Sequence, residues 1–228
     1  AGLIISILDR TGLGQALTLL LASVGEDSIF LLLILTALVS ILLGMGMPTS
    51  AIYLLLATMI APSLVKLGIH PISAHMFVLY FGLMSMITPP VAIAAFAAAS
   101  LSGAKPMETG VTAVRLGWIA YVVPFIFVLS PALLWQGSAY AIAEGAITAF
   151  IGVWFGSCGL IGYMFGPQSA ICRVLLFVAG ILLLLPADAI PYGLLINGVG
   201  LAIGIFVGTR DYLANPKKKP AVEAGAAE

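Results

Sequence analysis

Two stretches of this chain carry no charged side chain: Ser28 to Val65 and Leu67 to Ala104, 38 residues each and separated by Lys66 alone. As one α-helix, such a run would extend about 57 Å, nearly twice a hydrocarbon core of about 30 Å. Two full crossings with a turn need more than about 40 residues. Each run is too long for one crossing and short for two. Each is also interrupted near its middle, by Gly44-Met45-Gly46-Met47-Pro48-Thr49-Ser50 in the first and by Ile87-Thr88-Pro89-Pro90 in the second. Glycine frees the backbone, proline removes a donor and clashes with the preceding turn, and the residue before a proline is pushed off helical angles. The first run reads as a re-entrant hairpin with arms Ile29–Gly44 and Thr49–Val65. The second reads as a crossing helix broken at Thr88-Pro89-Pro90.

Lipid is the solvent these runs require. Charged residues make up 8% of the chain and hydrophobic ones 62%, against about a quarter charged in soluble domains. A soluble fold of this length has too little interior to hide that surface. The zero net charge offers no basic face to a nucleic acid. Cys158 and Cys172 lie in apolar segments and read as inert buried thiols. His70 and His75 are too isolated for a metal cluster. The chain opens at Ala1 without a basic n-region or a cleavage site, so no signal peptide is read, and the abrupt apolar start suggests the C-terminal piece of a longer polypeptide.

The expected organisation is all-α. Residues 1–27 hold an interfacial helix over Thr11–Val24 and its connection. Residues 28–134 form a transport region: the hairpin 29–65, the broken helix 71–102, a polar loop Ser102–Arg115 and a span 116–134 ending at Trp135, an interfacial anchor type. Residues 138–212 form a three-helix extension, with spans Tyr140–Met164, Ile171–Pro186 and Ala189–Thr209. A polar tail, 213–228, reads as disordered. Placing Lys217-Lys218-Lys219 in the cytoplasm puts Arg173, Lys105 and Arg115 inside as well, and Glu26, Asp27, Lys66 and Asp188 outside. This agrees with the positive-inside tendency, and a plain crossing in place of the hairpin would upset it.

Non-helical backbone at membrane depth is tolerated only where protein buries it or it lines an aqueous cavity. A broken helix exposes carbonyl oxygens that can coordinate a cation on one side and N–H groups that can hold an anion on the other. Thr49, Ser50, Ser85 and Thr88 add hydroxyls, and Pro48 with Pro89 or Pro90 sits where a second half-helix would start. The set suits sodium and a carboxylate. It does not suit bond-breaking chemistry, since it has no nucleophile–base pair and no carboxylate near the breaks. The candidate ion and substrate residues are Gly44, Gly46, Pro48, Thr49, Ser50, Ser85, Ile87, Thr88, Pro89 and Pro90, with Na+ at Gly44, Gly46, Thr49 and Thr88, and no cofactor. The blander readings are a kinked loop for the first break, and for the second a simple proline kink whose Ser85 and Thr88 bond back to the helix.

The stretch Leu43–Ser100 resembles the large, DctM-like membrane subunit of tripartite ATP-independent periplasmic (TRAP) transporters. The resemblance rests on Gly44-Met45-Gly46-Met47, then Lys66-Leu67-Gly68-Ile69-His70-Pro71, then Gly82-Leu83-Met84-Ser85-Met86-Ile87-Thr88-Pro89-Pro90-Val91. Pro48 replaces the family's acidic residue after the hairpin methionine, and Met-Pro-Thr-Ser looks like the fused permeases that serve TAXI-type receptors. The resemblance implies an elevator transporter of inverted repeats, this chain carrying the second and the missing N-terminal half the first. It also implies sodium-coupled import of organic anions (carboxylates) received from a periplasmic solute-binding receptor, in a bacterial inner membrane.

Other features read as packing. Gly152, Gly156, Gly200, Gly204 and Gly208 let helices approach closely. Asn197 reads as an interhelical hydrogen bond, Arg115 as a snorkelling side chain, Glu144 as an interfacial group, and Met45, Met47, Met84 and Met86 as adaptable packing. The extension reads as a brace. A channel would need a ring of charges or a carbonyl filter. A structural or accessory membrane subunit, the remaining alternative, explains the last three helices but not the two breaks.

Overall fold

The computed structural model describes residues 2–12, 14, 16, 19, 20, 23 and 28–214. In lipid each segment must satisfy its own backbone, and the helix is the local solution. The described residues form α1 (Gly2–Arg10), α2 (Ile29–Gly44), α3 (Thr49–Met59), α4 (Ala61–Lys66), α5 (Pro71–Met84), α6 (Ile93–Ser102), α7 (Pro106–Leu116), α8 (Ile119–Leu129), a 3-10 turn (Pro131–Leu134), α9 (Ala139–Ile161), α10 (Ala170–Leu184) and α11 (Gly193–Ala214). No strand occurs among them. Thr49–Lys66, Pro106–Leu129, Ala139–Ile161 and Gly193–Ala214 are each long and apolar enough to cross a membrane. The protein is an all-α integral membrane protein. The expected interfacial helix over Thr11–Val24 falls largely outside the described residues, as does the tail beyond Ala214.

The chain divides into two compact units, Ala1–Ile142 and Ala143–Glu228. In the first, Ser28 caps α2 by accepting from Leu31 N. Gly46 lets the chain turn after α2: its φ of +80° lies in the left-handed region that disfavours side chains. Pro48 then holds an extended conformation ahead of α3. The second arm is not one helix: Ile60 takes φ −111°, and α4 restarts with a proline in its first turn.

Between the arms lies α5. It packs on α2, α3, α4 and α8, burying Phe77, Val78 and Phe81 against Leu32, Ile52 and Leu56. Phe77 meets Phe81 in a tilted contact at 4.8 Å, and Phe125 of α8 meets both edge-on, at 5.3 and 5.5 Å. Lipid tails are as apolar as leucine, so interdigitation rather than the hydrophobic effect holds these helices together. Aromatic pairs add about 0.5–1.5 kcal/mol each.

The polar stretch expected as a loop is helical from Pro106. Its proline stands in the first turn, Glu108 near the N-terminus and Arg115 near the C-terminus, each suited to its end of the helix dipole. Lys105 pairs with Glu108 at 2.8 Å.

In the second unit, glycines bring backbones together. A Cβ on Gly152 would lie 2.8 Å from the carbonyl of Gly180, and one on Gly180 2.6 Å from the backbone nitrogen of Gly156. Phe155 covers Gly204, and Met164 approaches Gly208. The packing reading of these glycines holds. So does that of Asn197: with its amide nitrogen facing α10, it donates to Leu182 O at 2.8 Å and Leu185 O at 3.1 Å. Arg173 caps α9, donating to Gly159 O at 3.2 Å and Leu160 O at 2.9 Å. Both cysteines are free and buried.

Candidate functional site: a hairpin tip against a helix break

Helical geometry stops at Met84 and resumes at Ile93. The break covers Ser85–Ala92, wider than the Ile87–Pro90 expected, because the tertiary amides of Pro89 and Pro90 withhold two donors. Beyond it, Ala94 N reaches back across the break to Met86 O at 3.0 Å. Met84 O is crowded with donors: Ile87 N at 3.1 Å, Thr88 N at 2.9 Å and the Thr88 hydroxyl at 2.5 Å. The carbonyls of Ile87, Pro89 and Pro90 accept no hydrogen bond among the described residues.

The tip docks on this break through Gly44. A Cβ there would lie 2.7 Å from the carbonyl oxygen of Gly82 and 2.9 Å from Ser85 Oγ, so only a glycine permits the approach. Gly82 is equally constrained on its other side, where Ile52 and Leu56 of α3 fill the space a side chain would need. Two glycines thus let both hairpin arms close on α5 just above its end. Gly110 of α7 gives room to the Pro89 ring, and Gly117 to the Ile87 side chain.

The candidate residues fall into two groups. Gly44 and Ser85 are buried and adjacent; Ile87, Thr88 and Pro89 are half-buried within the break. Gly46, Pro48, Thr49, Ser50 and Pro90 are exposed. The hydroxyls of Thr49 and Ser50 make no hydrogen bond among the described residues. Those of Ser85 and Thr88 are committed as donors: Ser85 to Gly82 O at 2.6 Å and Thr88 to Met84 O. This is the back-bonding that a plain proline kink also predicts.

Tyr121 is the residue that sequence reasoning missed. Its hydroxyl lies 2.7 Å from Thr88 Oγ1. The single Thr88 proton goes to Met84 O, so Tyr121 is the donor. One Thr88 lone pair remains for a further partner. A lone phenol in the apolar run Ile119–Leu129 was the available signal, because a buried tyrosine hydroxyl needs a partner.

Helices that stop and restart against one another, in a chain built for the bilayer, are an arrangement that membrane transporters use. The family model of the tripartite ATP-independent periplasmic transporter, DctM component, matches residues 1–142. The chain belongs to that family and is a membrane permease component, in a family of transporter components rather than enzymes. The matched segment and the first compact unit end at the same residue, Ile142. No curated protein and no solved structure matches the chain.

Proposed function

We propose that the tip Gly44–Ser50 and the break Ser85–Pro90 form the ion and substrate site of a sodium-coupled permease that imports organic anions handed over by a periplasmic receptor of the TAXI type. The observation carrying this reading is the contact of Gly44 with Gly82 and Ser85, which sets a turn against a break whose carbonyls at Ile87, Pro89 and Pro90 accept no hydrogen bond among the described residues. A dehydrated sodium ion needs several oxygens, and freed carbonyls supply them without the cost of burying a full charge. The hydroxyls are secondary: Thr88 offers one lone pair, and Thr49 an exposed side chain at the start of α3. The first break is read as re-entrant, its two arms returning to one side of the membrane.

Two measurements test this. Uptake by the complete transporter in proteoliposomes, with receptor supplied, is followed across a sodium series for Thr88→Ala and Thr49→Ala. A raised sodium requirement with little loss of folded protein supports the ion site, and an unchanged sodium midpoint in both variants removes it. Cysteine accessibility at positions 26 and 66 tests the hairpin. Labelling from the same side supports it, and labelling from opposite sides makes Thr49–Lys66 a crossing helix, for which its length suffices.

A further inference from the structure

The end of the second unit carries a feature that the transport site does not use. There α11 presents two adjacent faces. Val207, Arg210, Asp211 and Ala214 recur at helical spacing and line a cleft of about 160 Å³, closed by Gln168, Ser169 and Cys172 at the start of α10. Gly208, Thr209, Tyr212 and Leu213, on the next face, line a groove of about 300 Å³ with Phe165, and the Thr209 hydroxyl is turned back to Phe206 O at 3.0 Å. The segment between α9 and α10 separates the two, with Phe165 in the groove and Pro167 in the cleft.

The cleft gathers donors and positive charge. Arg210 Nη1 reaches Cys172 Sγ at 3.2 Å, which brings the guanidinium to the first turn of α10. A thiol is a weak acceptor, so four of the five guanidinium N–H donors remain unspent among the described residues. The first backbone N–H groups of a helix are themselves unpaired and lie at its positive end. In α10, Ser169 satisfies Cys172 N alone, at 3.4 Å. Gln168 Nε2 is buried and has no hydrogen-bond partner among the described residues. Asp211 also lines the cleft, and its Oδ2 accepts from Phe165 N at 2.8 Å and Gly166 N at 3.0 Å. Arg210 and the N-terminus of α10 thus bring positive charge to one cleft, in which Asp211 is the acidic group.

We propose that this cleft binds the phosphate of a phospholipid headgroup, with an acyl chain of the same lipid in the neighbouring groove. Arg210, the Gln168 amide, the Ser169 hydroxyl and the first N–H groups of α10 hold the phosphate oxygens. Phe165 and Tyr212, in edge contact at 5.6 Å, lie beside the chain, and aromatics of this kind favour the headgroup level. A free phosphate would use the cleft alone and leave the groove unexplained. Charge favours a lipid as well. Arg173 and Arg210 share this end of the unit, Lys217-Lys218-Lys219 follow in sequence, and basic residues near a membrane surface concentrate anionic lipid.

Native mass spectrometry of the full chain, delipidated and titrated with dioleoyl phosphatidylglycerol, tests the site. The expected result is one tightly held lipid whose apparent affinity falls at least fivefold in Arg210→Gln and about threefold in Gln168→Leu, but not in Lys105→Gln. Gln168→Leu keeps the test open if Arg210→Gln fails to fold. Equal lipid retention in the folded variants overturns the proposal. So does displacement of the lipid by millimolar inorganic phosphate, which would make the cleft a site for free phosphate.

Discussion

The two units solve the same problem, a chain dissolved in lipid, in opposite ways. In residues 1–142 helices are short and interrupted: α2, α5 and α6 have 16, 14 and 10 residues, or about 24, 21 and 15 Å. Buried glycines there serve to seat a turn against a break. In the second unit α9 and α11 run for 23 and 22 residues without interruption. Its glycines serve to draw whole helices together. The same residue thus supports irregular backbone in one region and suppresses it in the other. The family match covers the first region only, as expected if the irregular backbone is what the family has in common.

That contrast can be broken by substitution. The largest effect is expected from Gly180→Leu. Its side chain would meet the backbone of Gly152 and Gly156 at 2.6 Å, a collision no rotamer relieves. Overpacking of this kind costs about 3 kcal/mol, read as a fall in the thermal midpoint of the detergent-solubilised protein. An unshifted midpoint would mean that the second unit is not held by its glycines.

Gly44→Val should lower uptake about tenfold, the equivalent of about 1.4 kcal/mol, with a smaller fall in midpoint than Gly180→Leu. Its side chain would meet the Gly82 carbonyl at 2.7 Å, but Gly44 is the last residue of α2 and the rest of that helix keeps its packing on α5. A loss of folded protein matching the loss of uptake would make the tip structural. Tyr121→Phe should raise the sodium midpoint by about threefold. It removes the donor to Thr88 Oγ1 with one atom and no loss of packing, and a net hydrogen bond is worth about 1 kcal/mol. If uptake and its sodium dependence are both untouched, the Tyr121–Thr88 contact only braces α8. The smallest effect on uptake is expected from Asn197→Leu, which gives up two interhelical hydrogen bonds. Such bonds average about 0.6 kcal/mol in membrane proteins, so a shift of a few degrees in midpoint is expected and none in uptake.

Much of this was legible because lipid enforces a strict grammar. Gly-Met-Gly-Met-Pro and Thr-Pro-Pro could not continue a helix, and 38 charge-free residues could not be one. Both breaks therefore stood in the sequence. Their docking did not. Gly44 and Gly82 are 38 residues apart, and nothing local says that one glycine opposes the carbonyl of the other. The Tyr121–Thr88 contact spans 33 residues and was hidden for the same reason. The misreading of Ser102–Arg115 had a different cause. Lys105, Glu108, Thr109 and Arg115 look like a loop when polarity is weighed against an apolar chain. The helix is marked instead by Pro106 at its start and by acid and base at opposite ends, signals that polarity alone conceals.

The placement of α5 also has a consequence for how the protein is made. Both hairpin arms dock on α5, which lies after them in the chain, so the hairpin cannot be completed when it first enters the bilayer. Leu32, Ile52 and Leu56 gain their contacts with Phe77 and Phe81 only after α5 has been made. The buried hydroxyls of Thr36 and Ser40, on the face of α2 that ends at Gly44, wait with them. Elongation through residues 71–84 is thus the step at which the hairpin acquires its position. A nascent chain halted before Pro71 leaves both arms without the face of α5 on which they pack.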